Sequence, residues 1–510
     1  MGSQILSIID SQASIVPALL LCVLGAFFVI QSSFHSKRTL SKIPLWGEEL
    51  PAKTRRDALF KDSKSIYFES YLKFKDSLGF RVSTTEDSGE KLVVSPKFLN
   101  ELTRLPSNVL SFEEAHKESF EHKYTNSPPP RFFQLIPHII KAELTPALSR
   151  INAFMTTEAD RAVLEEIGPC KDWSPINIYE KMLRTVAIIS GRVFIGPELC
   201  HDERYLDTAV SYTSELGKAL VDIKSVHFWI KGFLAGRLES VAALRRREDD
   251  FLAFITPIVQ TRRRAEAEGQ KLPEDMLTWL MNKATGDGVD GIRDISLIQL
   301  GLFFVASHTT GITATNIFYD LAARPECIPP IREEIHAALA QSNGVLDHAT
   351  LQRLKKLDSF MKESLRMNPL TFATFERRVL RPFTLSDGTY IPQGTVLEVP
   401  NHAISRDPTV YEDPDTFQPW RFSDKRNGGP EDARQQFVSI SPGFGSFGYG
   451  RHACPGRFFA GVELKMILAR ALLTYDIKSR DGGGRLKNLE FGLTCSPDPK
   501  GEIFFKSVGG

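Results

Sequence analysis

The sequence predicts a mainly α-helical body with a smaller strand-rich part, preceded by one N-terminal transmembrane helix. Three observations carry this reading. Ser11 to Ser36 holds no Asp, Glu, Lys or Arg; residues from about 51 to 350 have helical texture; and Arg377 to Pro400 changes abruptly to strand texture. The 510 residues exceed an ordinary single-domain length, yet nothing linker-like follows the first 50. The expected organisation is a membrane anchor (1–36), a proline-containing neck (37–51) and one body (52–510).

In the anchor, IVPALLLCVLGAFFVI (Ile15 to Ile30), extended by Gln31 to Phe34, reaches the roughly 20 residues that cross a bilayer core. Lys37, Arg38 and Lys42 follow, and only Asp10 precedes. That asymmetry predicts a cytosolic body on a single-pass membrane protein in contact with membrane lipid. A cleaved signal peptide would carry a basic leading region, which this segment lacks. KIPLWGEELP then reads as a stiff neck.

Within the body, the most apolar run is Ile295 to Arg324, too long for a strand and interrupted by Ser307, His308, Thr309 and Thr310. A bilayer span does not normally carry such a cluster mid-run, so a helix through the centre of the protein is expected. Leu351, Leu354, Met361 and Leu365 recur at helical spacing until Pro369 stops the pattern. Strands with DG and QG turns follow, then a long Pro-, Asp- and Gly-rich loop over 401 to 446. A helix is expected from Pro455 to about Tyr475, and a terminal hairpin within EFGLTCSPDPKGEIFF.

Composition narrows the function. The net charge is +1 with no long basic block, which argues against a nucleic-acid partner. The six cysteines, Cys22, Cys170, Cys200, Cys327, Cys454 and Cys495, form no CxxC pair, so neither a disulfide framework nor a zinc ribbon is indicated.

One of them stands apart. Cys454 lies in FGYGRHACPGRFFA, a glycine-rich turn that opens an apolar helix. Gly448, Gly450 and Gly456 offer conformational freedom, and a helix start after Pro455 favours negative charge on sulfur. Residue chemistry alone leaves three readings of Cys454 open: an axial ligand to haem iron, a nucleophile activated by His452, or an inert buried thiol.

The segment resembles the haem-binding signature of cytochromes P450, F-x-x-G-x-R-x-C-x-G. Phe447, Gly450, Cys454 and Gly456 match, and His452 stands where the family has arginine. Further matches fall in the family's order. Glu363 and Arg366 reproduce the E-x-x-R pair, Arg421 in FQPWRF the arginine that completes its triad, and VASHTT the oxygen-pocket run of the central helix. The wording is most similar to the fungal, membrane-bound, secondary-metabolism branch.

The resemblance implies a cytochrome P450 fold and a haem b cofactor bound through Cys454. It also implies O2 as co-substrate, and electrons from NADPH through a separate reductase. Thr309 would relay protons, and His308, at the family's acidic position, would assist. Arg378 would anchor a haem propionate with His452, Lys141 being a further candidate and Arg377 facing the opposite way. Phe447 would shield the sulfur. Arg451 and Arg457 would form part of the reductase face. Phe303, Ala306, Thr310, Thr371, Phe372, Thr374 and Leu493 to Ser496 would line the pocket of a lipophilic small molecule, terpenoid by preference. The competing readings are a haem-thiolate isomerase or dehydratase not using O2, a non-enzymatic haem protein, and a cysteine hydrolase. Thr309 argues against the first.

Overall fold

The computed structural model describes residues 40–129, 131–283, 289–480 and 483–509. The expected anchor therefore lies outside the described residues. The described part of the neck packs on the body: Ile43 is buried, Arg81 N–H donates to Pro44 O at 2.8 Å, and Trp46 N–H donates to Arg81 O at 2.9 Å.

The helices that position the site are α1 (Ala52–Phe74), α2 (Phe112–Ser119), α3 (Thr145–Ile167), α4 (Ile178–Phe194), α5 (Glu203–Ser225), α6 (Glu239–Ala267), α7 (Val289–Ala322), α8 (Lys355–Met367) and α9 (Arg457–Thr474). The helix expected at the centre is α7, which packs against α4, α5, α6, α8 and α9. Among the described residues it is the one helix long and apolar enough to cross a membrane. Here it runs through the helical core instead, with Leu300, Leu302, Phe303, Ile317, Phe318 and Leu321 almost fully buried. A helix apolar on every side needs such an all-round protein environment.

The strand-rich part holds a five-stranded sheet in the order β1 (Gly79–Ser83), β2 (Glu90–Val94), β8 (Val396–Val399), β5 (Thr374–Val379), β3 (Leu110–Ser111). β2 and β8 run parallel and the other neighbours antiparallel, with Arg378 opposite Val396 and a register shift between Thr374 and Arg377. Phe80, Val82, Leu92, Val94, Phe375 and Leu397 build a second, smaller core on this sheet.

At the chain end the structure divides what the sequence reads as one hairpin. β10 (Asn488–Phe491) turns at Gly492 into β11 (Thr494–Pro497), whereas β12 (Ile503–Ser507) joins a separate sheet between β4 (Ser174–Ile176) and β9 (Tyr475–Lys478). Burial decides this, because Ile503 and Phe505 enter the helical core.

Candidate active site

The cysteine loop is closed by its own backbone. Cys454 N–H donates to Phe447 O at 2.7 Å, Ala453 N–H to Gly450 O at 3.1 Å and Gly448 N–H to Gly445 O at 2.8 Å. Gly448 and Gly450 both take φ of +72°, and a Cβ on Gly450 would stand 2.6 Å from the Thr103 side chain. Those two positions require glycine. Gly456 does not: its φ is −82°, and a Cβ there would meet open space. Its missing side chain keeps room beside the cysteine. The ring of Phe447 stands edge-on to Phe437, with centroids 5.3 Å apart.

Cys454 keeps accessible surface although protein surrounds it closely enough for burial to push its thiol pKa up. The N–H groups of Gly456 and Arg457 and the Arg457 charge pull the other way without prevailing. On α7, Val305 is 40% exposed and Thr309 is exposed, one helical turn apart amid buried neighbours. Exposed side chains mid-way along a core helix, and an exposed thiol at the start of α9 packed on it, mark uncovered space inside the molecule. Thr309 Oγ1 donates to Val305 O at 2.8 Å, which leaves its lone pairs free.

Beside the loop, cationic groups converge. Burial lowers the His452 pKa to about 4, assisted by the charges of Arg377, Arg451, Lys141 and His116. His452 stacks on Phe112 of α2, with ring centroids 5.4 Å apart. Arg377 is 4% exposed, lies over Phe112 and Phe375, and is lowered to about 9 by burial and by Arg451. No carboxylate pairs with its guanidinium among the described residues; Nη1 donates only to the backbone of Glu376 at 2.7 Å. A buried guanidinium without a carboxylate partner, with the neutral His452 ring as a further donor and Arg451 and Lys141 near that ring, suits a dianionic group. The accessible thiol, the uncovered surface on α7, the open space at Gly456 and this anion-seeking cluster together fit a haem and its two propionates.

Several expected placements change. Arg378 faces away, its guanidinium ion-paired with Glu118 of α2, and Arg377 takes the inward position. The register shift in β5 before Arg377 decides which of the two adjacent arginines turns in. The structure directs His308 away from Thr309's exposed face: Nε2 donates to Val210 O of α5 at 2.7 Å, and burial lowers its pKa. Phe303 packs edge-on against Tyr205 and Phe251 in the core, while the next residue, Phe304, meets Phe120. One residue is about 100° around a helix, enough to exchange core for site. Phe372 is held by its N–H to Leu493 O and packs on His402; Thr310 is buried, and Ala306 is half-buried against the helical core. Lys141 is exposed, within electrostatic reach of His452.

Thr371, Thr374, Leu493 and Thr494 do line a cavity of about 510 Å³. Its walls include Arg377, His452, Gly448 and Tyr449, the Phe112 and Phe375 rings packed against Arg377, and His116, Phe120 and Ala373. Sequence reasoning did not single out Phe112, His116 and Phe120. In FEEAHKES nothing but the helical spacing of Phe112 and His116 hints at a shared face, and no motif ties that face to Cys454.

Beneath the loop, the Glu363–Arg366–Arg421 triad is assembled and almost fully buried. Arg366 Nε and Nη2 donate to the two Glu363 oxygens at 2.8 Å each, Arg421 Nε reaches Oε1 at 3.1 Å, and Gln418 N–H donates to Oε1 at 2.9 Å. The arginines also donate to the carbonyls of Ser405, Glu412, Pro414 and Thr416, so the triad clasps the long loop that leads to Cys454. A second network escaped the sequence reading. Asp358, on the same helix, is paired with Arg426 and with Lys465 of α9 at 2.7 Å, and accepts from Phe437 N–H at 2.9 Å. Against burial, Lys465 and Arg426 hold the Asp358 carboxyl below its usual range.

The cytochrome P450 family model matches residues 108–504 of this chain. The cytochrome P450 monooxygenase ATR3 of Stachybotrys chlorohalonatus is 36% identical over 82% of this chain and 88% of its own length. The cytochrome P450 monooxygenase paxP of Penicillium paxilli is 34% identical over 95% and 93%. The ent-kaurene oxidase of Gibberella intermedia is 34% identical over 86% and 82%. With the cysteine loop, the buried triad and the cationic cluster in place, these matches establish that the chain belongs to the cytochrome P450 family.

Proposed function

We propose that this haem-thiolate monooxygenase tailors a lipophilic, terpenoid-type secondary metabolite while anchored to the endoplasmic reticulum membrane by residues 1–36, with the neck at 37–51 and the catalytic body at 52–510. The enzyme class, the haem b cofactor, the use of O2 and the supply of electrons from NADPH through a reductase belong to the family. The observation that carries the reading is the uncovered interior surface marked by Cys454 in the loop before α9 and by Val305 and Thr309 on α7. A terpenoid skeleton is supported by the ent-kaurene oxidase relative and by the aromatic and aliphatic walls of the cavity. Membrane contact is supported by Trp229, Ile230 and Phe233, all exposed on the short helix Phe228–Leu234.

Haem held by Cys454 supplies activation of dioxygen and insertion of one oxygen atom into a substrate C–H bond. The protein's part is pose, proton delivery and dryness. Thr309 holds a hydroxyl on the uncovered face of α7, its proton on Val305 O and its lone pairs open to a donor, so a proton can be passed across it. Arg377, His452, Lys141 and His116 would hold the propionates, and Arg451 and Arg457 would contribute to the reductase face. Screening lipophilic substrates with a reductase tests the whole reading. Thr309→Ala is expected to cut product formed per NADPH consumed by about a hundredfold while NADPH oxidation continues. Thr309→Ser restores coupling, and His308→Asn leaves it unchanged. Equal coupling in wild type and Thr309→Ala would remove the relay role.

The arginine exchange has its own test. Arg377→Ala is expected to speed transfer of haem to apomyoglobin roughly 10- to 100-fold, the value of a charge-assisted hydrogen bond. Arg378→Ala breaks only a partly exposed ion pair, worth about 0–1 kcal/mol, and leaves haem transfer as in wild type. The reverse ranking would return the anchoring role to Arg378.

A further inference from the structure

Away from Arg377 and His452, the cavity is bounded by ionisable groups that oxygen insertion does not use. The tip of the β1–β2 hairpin carries Glu86 into the lining, beside Thr84 and Thr85. Lys91 of β2 gathers three carboxylates: Glu86 at 3.0 Å, Glu376 at 2.5 Å and Glu398 at 3.9 Å. Glu376 also accepts from Ser119 Oγ at 2.7 Å, and Glu398 from Tyr67. Glu86 is less well satisfied. Its Oε1 takes Lys91, but Oε2 has no hydrogen-bond partner although the side chain is only 9% exposed. Buried carboxylate oxygens are normally paired, so this one is left as an acceptor for a donor from elsewhere. Lys224, also in the lining, stands 3.6 Å from Glu86. Leu59, Phe60, Phe120 and Leu493 supply apolar wall to the same cavity.

The charges decide what kind of donor fits. Lys91 holds Glu376 down at about 2 despite burial, whereas burial pushes Glu398 up to about 7. Lys91 and Lys224 already stand 3.0 and 3.6 Å from Glu86, so an incoming ammonium would face two lysine charges. A hydroxyl donates and accepts at once, which matches a carboxylate with one unpartnered oxygen and lysines beside the other. We propose that Glu86 is a specificity residue that accepts a hydrogen bond from a substrate alcohol, with Lys224 donating to the alcohol oxygen. The substrate class is thus a lipophilic skeleton carrying a hydroxyl away from the carbon that is oxidised. This rests on the lipophilic-substrate reading above and adds the polar end to it.

The test titrates haem-loaded enzyme with matched probes, following the haem absorbance shift and, independently, the rise in melting temperature. The probes are geranylgeraniol, its methyl ether, its parent hydrocarbon and its amine. Parallel alcohol–ether pairs on a fatty acyl and a polycyclic aromatic skeleton are run beside them. Wild type is expected to bind the alcohol at least about tenfold more tightly than the ether, as for a hydrogen bond to a charged group. Glu86→Leu is expected to erase that preference while hydrocarbon binding stays within about twofold; Glu86→Gln, a gentler change should the leucine variant fold poorly, is expected to reduce the preference. Failure of the geranylgeranyl series to bind in every form counts against the terpenoid reading and leaves the hydroxyl test to the other skeletons. No alcohol preference on any binding skeleton, a preference that survives in both variants, or tighter binding of the amine would each overturn the proposal.

Discussion

Cys454→Ser is expected to abolish the strongly red-shifted Soret band of the reduced carbon-monoxide complex and all reductase-driven product formation. The sulfur is the soft, electron-donating ligand, and a serine hydroxyl in the same loop cannot push electron density toward iron in the same way. The backbone bonds that shape the loop, Cys454 N–H to Phe447 O and Ala453 N–H to Gly450 O, do not involve the sulfur, so the fold should survive. Helical circular dichroism close to wild type, with the band gone, is therefore the expected pair of results. A thiolate-type band that persisted in the serine variant would move the ligand to another residue. A wild-type protein that folds and binds no haem would reopen the nucleophile and inert-thiol readings of this cysteine.

Glu363→Ala should act on folding before it acts on rate. The carboxylate is 0% exposed and receives hydrogen bonds from both Arg366 and Arg421. Its removal leaves two buried guanidiniums without their counter-charge, a loss of about 3–5 kcal/mol. Against a typical stability of about 5–15 kcal/mol that is enough to leave much of the protein unfolded or haem-free at growth temperature. Haem content per milligram and melting temperature are the measurements. A variant with wild-type haem content that melts within about 2 °C of wild type would show that the carbonyl contacts of Arg366 and Arg421 suffice to hold the loop; about 1 kcal/mol already shifts a protein this large by roughly that much.

Both predictions rest on residues that local sequence exposes. A glycine-flanked cysteine and an i,i+3 Glu–Arg pair are legible because each reports a short-range constraint, whereas the downstream PWRF arginine was legible only through the family resemblance. The loop needs positive φ at Gly448 and Gly450, and the helix needs Glu363 and Arg366 on one face. The central helix was legible for a similar reason, since its length and unbroken apolarity leave few places for it to go.

What failed to show were side-chain directions and long-range neighbours. Arg377 and Arg378 are adjacent arginines, and the register shift of β5 against β8 turns the first toward His452 and the second toward Glu118. Phe303 and Phe304 differ by one step around a helix, and so does the choice between core and site. His308 stands at a motif position, yet the nearest acceptor is a carbonyl on α5, nearly a hundred residues earlier in the chain.

By itself, the sequence determined the cysteine loop and the helical centre, because these depend on residues close together or on one element's own periodicity; the triad, whose Glu363 and Arg421 lie 58 residues apart, was legible only through the family resemblance. Only the tertiary structure decided which arginine faces the cysteine loop, which aromatic rings flank the cavity and that Lys91 gathers Glu86, Glu376 and Glu398 from three separate strands and turns. The physical reason is that a buried charge or ring takes its direction from whatever packs against it, and those partners come from parts of the chain that no local pattern links.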